Sequence, residues 1–267
     1  MKVDLIGLWG CAKGSPWAEG LRRQGKEPPE LPWTGEELVE RGVSGLVFSP
    51  PCSVGHLDRE GHLIMTAASW DDPVVPGLSR YPHAFQDGSE VQIIDRVASY
   101  RDRLDVAGWF GADDAQRKDQ AALAAGYRLI HELDPQHRPV VLDFAPPYER
   151  SEILLPAILT CDVPGVHVYP VGLYGAYLTE VHHVVSRVRN YWQQGPLWFY
   201  VQLCSWREMP KPGEPRGSEQ QPTAQEIVEM VRYAVAAGAT GIVGFGGWKR
   251  PADSEQWAGW WEAVRRL

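Results

Sequence analysis

The 267-residue sequence has only four cysteines, and they follow no pattern. Cys11, Cys52, Cys161 and Cys204 make no CxxC pair and no short metal spacing, so neither a zinc ribbon nor a disulfide framework is indicated. Unpaired thiols suit a reducing compartment, and a cytoplasmic location is the expectation. Long apolar runs are missing too: no stretch reaches the roughly 18 apolar residues of a spanning helix, so no membrane partner is expected. The start, Met1 to Trp9, reads as a strand and lacks the apolar segment and small-residue cleavage site of a secretory signal. Positive charge is scarce, with 26 Lys and Arg against 34 Asp and Glu and a formal net charge of −8. The basic residues are scattered, which argues against a nucleic-acid partner, because binding to a phosphate backbone needs them clustered. After the first strand there is no Gly-rich phosphate fingerprint, which counts against an open doubly wound sheet, the runner-up fold.

What is present is apolar material for one large core, 44% hydrophobic against 22% charged, and many aromatics, including twelve Trp and ten Tyr. Residues 3–9 form an apolar strand. Residues 10–33 exceed the usual loop length and read as a functional or lid segment. Thr34 with Glu37 has capping-box spacing for a helix that stops at Gly42. Residues 43–49 make strand two. Strand three is expected at 62–68 with no amphipathic helix before it, so the region between strands two and four is irregular. A helix over 90–104 leads to strand four, the Trp109 segment. Alternation is then regular: helix 118–133, strand 139–144, helix 152–159, strand 163–169, helix 177–194, strand 197–203. After the Pro/Gly-rich loop 207–222, a second capping box at Thr223 and Glu226 opens the helix before strand eight at 241–245, and a last helix closes the chain. About eight strands alternating with helices predict an α/β fold, a single (β/α)8 TIM barrel over residues 1–267.

In such a barrel the C-terminal strand ends carry function. Gly108-Trp109-Phe110-Gly111-Ala112-Asp113-Asp114-Ala115 runs from strand into two acids and then into a helix, so Asp113 and Asp114 are candidate catalytic groups. The bland account is that an Asp here caps the helix, for which Asp119 is also available. Neighbouring side chains on a strand face opposite ways, so Asp113 and Asp114 are not a catalytic pair. Strict alternation puts Trp109, Gly111 and Asp113 on one side and Phe110, Ala112 and Asp114 on the other. A second carboxylate must come from another strand: Asp143 first, then Asp162 and Glu208. Asp143 has an equal alternative, a structural hydrogen bond to His167 or a turn. Trp9, Trp109, Trp206 and Trp248 fall near strand ends as possible stacking platforms for a sugar, although Trp109 could equally be core. His167 and Tyr169 can both face the cavity. Cys52, His56 and His62 match no compact metal site, and no metal or cofactor is expected. His182-His183 read as an exposed helical pair.

With those residues in view, the segment 90–250 resembles the retaining barrel glycoside hydrolases of clan A, in particular the β-galactosidase-like hypothetical glycosidases. Gly108 to Ala115 is similar to a strand-four motif Gly-Trp-Tyr-x-x-Asp-Glu-Pro whose Glu is the acid/base. Asp162-Val-Pro-Gly-Val-His-Val-Tyr-Pro170 is similar to the strand-six segment, and 197–203, 222–230 and 237–243 to strands seven and eight with the helix between. The resemblance implies that Asp114 is the acid/base, one methylene shorter than the family's Glu, and that Ala115 replaces its Pro. Where many members carry a nucleophilic Glu on strand seven, this sequence has Gln202, which the resemblance recasts as a hydrogen-bonding group for substrate. The implied function is a glycoside hydrolase acting on a neutral small-molecule glycoside or oligosaccharide. The alternative is a carbohydrate-binding pseudoenzyme that kept the cleft and lost the chemistry.

Overall fold

The computed structural model describes residues 3–23, 25, 27–48, 56–57, 63–64, 76, 78–82, 84, 90–115, 119–145, 151–172, 177–193, 195–206 and 219–267. Eight parallel strands make one sheet: β1 (Leu5–Trp9), β2 (Gly45–Phe48), β3 (Ser79–Pro82), β4 (Trp109–Ala112), β5 (Val140–Phe144), β6 (Val163–His167), β7 (Trp198–Gln202) and β8 (Gly241–Phe245), in the order β3-β2-β1-β8-β7-β6-β5-β4. The outermost two meet through a parallel bridge between Arg80 and Val106, with Arg80 N–H donating to Asp105 O and Ala107 N–H to Arg80 O, both at 2.8 Å. Near the top, Ala84 N–H donates to Phe110 O at 2.7 Å. The sheet closes on itself as a (β/α)8 barrel.

Helices alternate with the strands: α1 (Pro16–Arg23), α2 (Gly35–Glu40), α3 (Glu90–Tyr100), α4 (Gln120–Leu133), α5 (Ser151–Ile158), α6 (Glu180–Tyr191), α7 (Ala224–Ala236) and α8 (Glu255–Arg265). Both expected capping boxes form, at Thr34/Glu37 and Thr223/Glu226, and each such cap contributes about 1 kcal/mol. Two expectations are corrected. The 10–33 connection contains α1, whose Gly and paired Arg residues hid its periodicity. Strand three is Ser79–Pro82, not 62–68: Leu63–Ile64 instead pairs antiparallel with His56–Leu57 in a small hairpin outside the barrel. No helix lies between β2 and β3 among the described residues, and no described helix is long and apolar enough to cross a membrane.

Strand alternation divides the core in two. Outward residues such as Leu46, Leu142, Val166, Phe199 and Ile242 pack under the helices, while Leu5, Trp9, Val47, Phe110, Val141, Val163, Trp198, Tyr200 and Val243 fill the barrel. The upper interior is an aromatic layer: the Trp9 ring stands edge-on to Phe110, Tyr200 and Phe245 at centroid distances of 5.0, 5.9 and 5.5 Å, in the T-shaped range that aromatic quadrupoles favour. Lower down, Trp198 fits because β8 offers Gly241, where an added Cβ would stand 2.2 Å from Trp198 Cδ1. Gly241→Ala is therefore expected to destabilise the protein by about 1–3 kcal/mol through overpacking. In urea unfolding the midpoint should fall with an unchanged slope; an unmoved midpoint would show that the indole has room to spare.

Candidate functional site

β4, β5 and β6 end side by side, and residues at or just beyond their ends bring three carboxylates to one imidazole. Asp143 follows Val141 on the inner face of β5, and its side chain is only 5% exposed. His167 closes β6 on the same face. His167 Nδ1 and Asp143 Oδ2 share a hydrogen bond of 2.6 Å, and Asp114 Oδ1 stands 3.8 Å from His167 Nε2. Asp113, Asp143 and His167 each offer a ligand-type atom within 4.8 Å of the other two.

Two local features let neighbouring acids serve one site. The β4/β5 register slips between Phe110 and Ala112, so Gly111 is an extra residue, a β-bulge. Phe110 faces inward, but Ala112 pairs with Leu142 and joins the outer core. Strict alternation is broken, and Asp113 arrives on the inner side beside Asp143. Asp114 then takes φ +50, a left-handed conformation that Asp tolerates better than most residues, and its N–H donates to Asp113 Oδ1 at 3.0 Å. Neither acid caps α4. That role belongs to Asp119, whose Oδ1 accepts from Ala122 N–H at 2.8 Å.

The electrostatics follow from burial and crowding. Burial drives the Asp143 carboxyl up, His167 pulls it back by charge and hydrogen bond, and Asp113 pushes it up again, leaving it raised to about 7. For His167, burial alone would lower the imidazole; Asp143, then Asp113 and Asp114, outweigh it and the net shift is upward. The two hold a proton jointly and titrate as one unit. The Tyr169 phenol is held well above its ordinary value by burial and then by the charges of Asp143 and Asp113.

Aromatic rings border the carboxylates. Tyr169 is sandwiched between His167 and Phe245, with centroid distances of 4.8 and 5.4 Å and near-parallel planes. Half-buried Trp248 packs edge-on against Phe245 at 5.3 Å, aimed there by Gly246 at φ +85. Half-buried Trp206 donates its Nε1–H to Tyr169 O at 2.8 Å, which ties the ends of β6 and β7 together. Trp9 lies beneath this ring of residues as part of the interior layer rather than on its surface. Phe245 escaped the sequence reading; its place two residues beyond inward Val243 on β8 was the available signal.

Other candidates lie elsewhere. Trp109 is fully buried on the outer side of β4, donating its indole N–H to Asp134 Oδ2 at 2.8 Å, so it is core and not a sugar platform. Gln202 has no exposed surface: its Oε1 accepts from Val171 N–H at 3.0 Å and its Nε2 donates to Val171 O and Cys204 O at 2.9 Å each. All its polar capacity is spent on backbone, so it is a loop clamp rather than a substrate ligand. Asp162 precedes β6 and therefore sits at the opposite, N-terminal end, bonded to Tyr127, His131 and Val140 N–H. Cys52, His62 and Glu208 lie outside the described residues, and His56 is described only as backbone. His182 and His183 are exposed on α6.

No family model and no curated protein matches the sequence. Solved structures do. The chain is similar to the β-glucuronidase of Bifidobacterium dentium (13% identity, TM-score 0.55, covering 98% of this chain and 46% of that one). It is similar also to a Bacteroides thetaiotaomicron protein assigned as an α-L-fucosidase (11%, TM-score 0.59, 99% and 95%), and to the GH2 β-galacturonidase of Eisenbergiella tayi (13%, TM-score 0.56, 100% and 51%). The fold is one that these glycosidases share. The chain spans about half the length of the β-glucuronidase and of the β-galacturonidase, and at these identities the likeness concerns the fold alone.

The Gln202 clamp makes a testable claim. Gln202→Leu leaves the N–H and C=O of Val171 and the C=O of Cys204 without this partner, at about 1–3 kcal/mol for each group that stays buried and unsatisfied. A marked loss of thermal stability is expected; an unchanged melting temperature would return Gln202 to the list of substrate ligands.

Proposed function

We propose that this barrel is a glycoside hydrolase-like protein that takes a neutral carbohydrate at its mouth, with Asp114 as acid/base and Asp143 as the second carboxyl. The observation that carries the reading is the convergence of Asp113, Asp114 and Asp143 on His167 at the C-terminal strand ends. The glycosidase-like fold is in keeping with it, as is the resemblance of the strand-four motif to clan A. Glycoside hydrolysis needs one carboxyl able to give up a proton and a second group opposite it. Asp113 and Asp143 stand too close together to be that pair, since a retaining pair needs about 5–5.5 Å and an inverting pair more. Asp114 and Asp143 meet different nitrogens of the His167 ring, Asp114 Oδ1 at 3.8 Å from Nε2 and Asp143 Oδ2 at 2.6 Å from Nδ1.

A neutral sugar is favoured by charge. An anionic sugar, such as the galacturonate bound by the β-galacturonidase neighbour, would meet three carboxylates here. Phe245, Trp206 and Trp248, all half-buried, offer apolar surface on which the C–H side of a sugar ring can rest. The second reading, a carbohydrate-binding pseudoenzyme, is favoured by Gln202: the strand-seven position that carries a nucleophile in many clan A members holds a buried amide occupied with backbone.

The two readings part on one variant. Asp114→Asn is expected to abolish turnover of an aryl glycoside while leaving sugar affinity nearly unchanged, because the lost interaction acts chiefly in the transition state. Wild-type protein that quenches its Trp fluorescence with sugar yet turns over no aryl glycoside supports the pseudoenzyme. Trp248→Ala should weaken sugar binding by about 1–3 kcal/mol if the indole stacks; no binding of any neutral sugar at millimolar concentration would end both readings.

A further inference from the structure

We propose that Asp113, Asp143 and His167 form a binding site for one divalent transition-metal cation, Zn2+ or Mn2+, at the mouth of the barrel. Two observations carry this independently. The first is convergence: two carboxylates and an imidazole from the ends of three different strands bring ligand-type atoms within 4.8 Å of one another, and no other trio of His, Cys, Asp or Glu among the described residues does so. Ligands on one Zn2+ stand about 3–4 Å apart, so closure requires only side-chain adjustments of about an ångström. The second is a buried oxygen crowded against another carboxylate. Asp143 Oδ1 is buried, in a side chain 5% exposed, and accepts no hydrogen bond. Its Oδ2 is taken by His167, and the group beside it is the carboxylate of Asp113, so the two can be joined only by a shared proton or a cation.

A buried carboxylate oxygen facing a second carboxylate is an expensive arrangement in low dielectric. A cation between the two turns that repulsion into coordination. Access is available, because Asp113 is exposed to solvent while Asp143 and His167 line the floor. The ligands are supported from behind, His167 by the face of Tyr169 at 4.8 Å. Three protein ligands leave coordination positions open to water or a sugar hydroxyl, the pattern of an open rather than a closed metal site. The imidazole favours a transition cation over Mg2+ or Ca2+. Asp114 lies outside the ligand set, but Asp143, the second carboxyl of the hydrolase reading, lies within it; the proposal goes beyond that reading, and the test below reads metal binding alone.

The test is calorimetric titration of the full chain, stripped with chelator, with ZnCl2 and with MnCl2. One equivalent with micromolar or tighter affinity is expected, together with a rise in melting temperature. Loss of a metal-supporting neighbour typically weakens binding about 10–100-fold, so loss of a ligand in Asp143→Asn or His167→Gln should weaken it by at least about 100-fold. Replacing the exposed pair, His182→Gln with His183→Gln, should leave that equivalent in place. If the ligand variants fail to fold, the wild-type protein loaded with Co2+ decides, since an open low-coordinate site gives visible absorption that Zn2+ displaces stoichiometrically. Absence of a saturable equivalent for either cation overturns the proposal, as does an equivalent that survives Asp143→Asn and His167→Gln or disappears with the His182/His183 pair. None of these readouts needs glycoside turnover, so loss of the hydrolase reading leaves the result intact.

Discussion

The hydrogen bond of 2.6 Å between Asp143 and His167 is the interaction around which the upper barrel is arranged. Removing a carboxyl and an imidazole from water costs several kcal/mol unless each finds a partner of matching character. Here the partners are each other, on adjacent strands, and the same inner-face position that buries them also points them at the mouth. Because β5 and β6 run parallel and in register, the pair is held by the sheet rather than by a loop. The surroundings fit this constraint: Tyr169 covers the ring of His167, Phe245 covers Tyr169, and Trp9 closes the floor beneath.

The same constraint gives meaning to the irregularity in β4. A regular strand would have sent Asp113 away from Asp143. One extra residue at Gly111 moves it inward, and the left-handed turn at Asp114 keeps the next carboxylate within reach of His167. Bulges and sparsely populated backbone conformations gather where a side chain has to be re-aimed, and here two occur within four residues of each other.

Much of the architecture was legible from the sequence because each signal was local. Thr34/Glu37 and Thr223/Glu226 announce helix starts through reciprocal hydrogen bonds within one turn, and both form. Strand eight was readable to the residue because an apolar run stood between Gly238 and the Gly246-Gly247 turn. The failures were non-local. Leu63–Ile64 has the composition of a strand but pairs with His56–Leu57, a choice that depends on what the barrel already contains. Trp109 and Asp162 looked like site residues because both adjoin strands, yet one faces outward and the other lies at the strand's beginning. Gln202 faces inward as expected, but a loop from Val171 folds over it, and no spacing in the sequence announces that contact. The convergence of Asp113, Asp143 and His167 could not be read as a metal motif, since its members are spread over three strands.

The location of the acidic cluster also separates two roles that a barrel can give a carboxylate. At the lower end, Asp105 pairs with Arg80 and Arg103, and Asp134 accepts from Trp109 and stands 3.5 Å from Arg138. Each of those carboxylates meets a guanidinium or an N–H, so its charge is compensated within the protein and its task is to hold strands and helices together. At the upper end, three carboxylates gather around one imidazole. That gathering of acids sets what the mouth can favour: a proton for a leaving group, a hydroxyl-rich ligand that donates hydrogen bonds, or a cation.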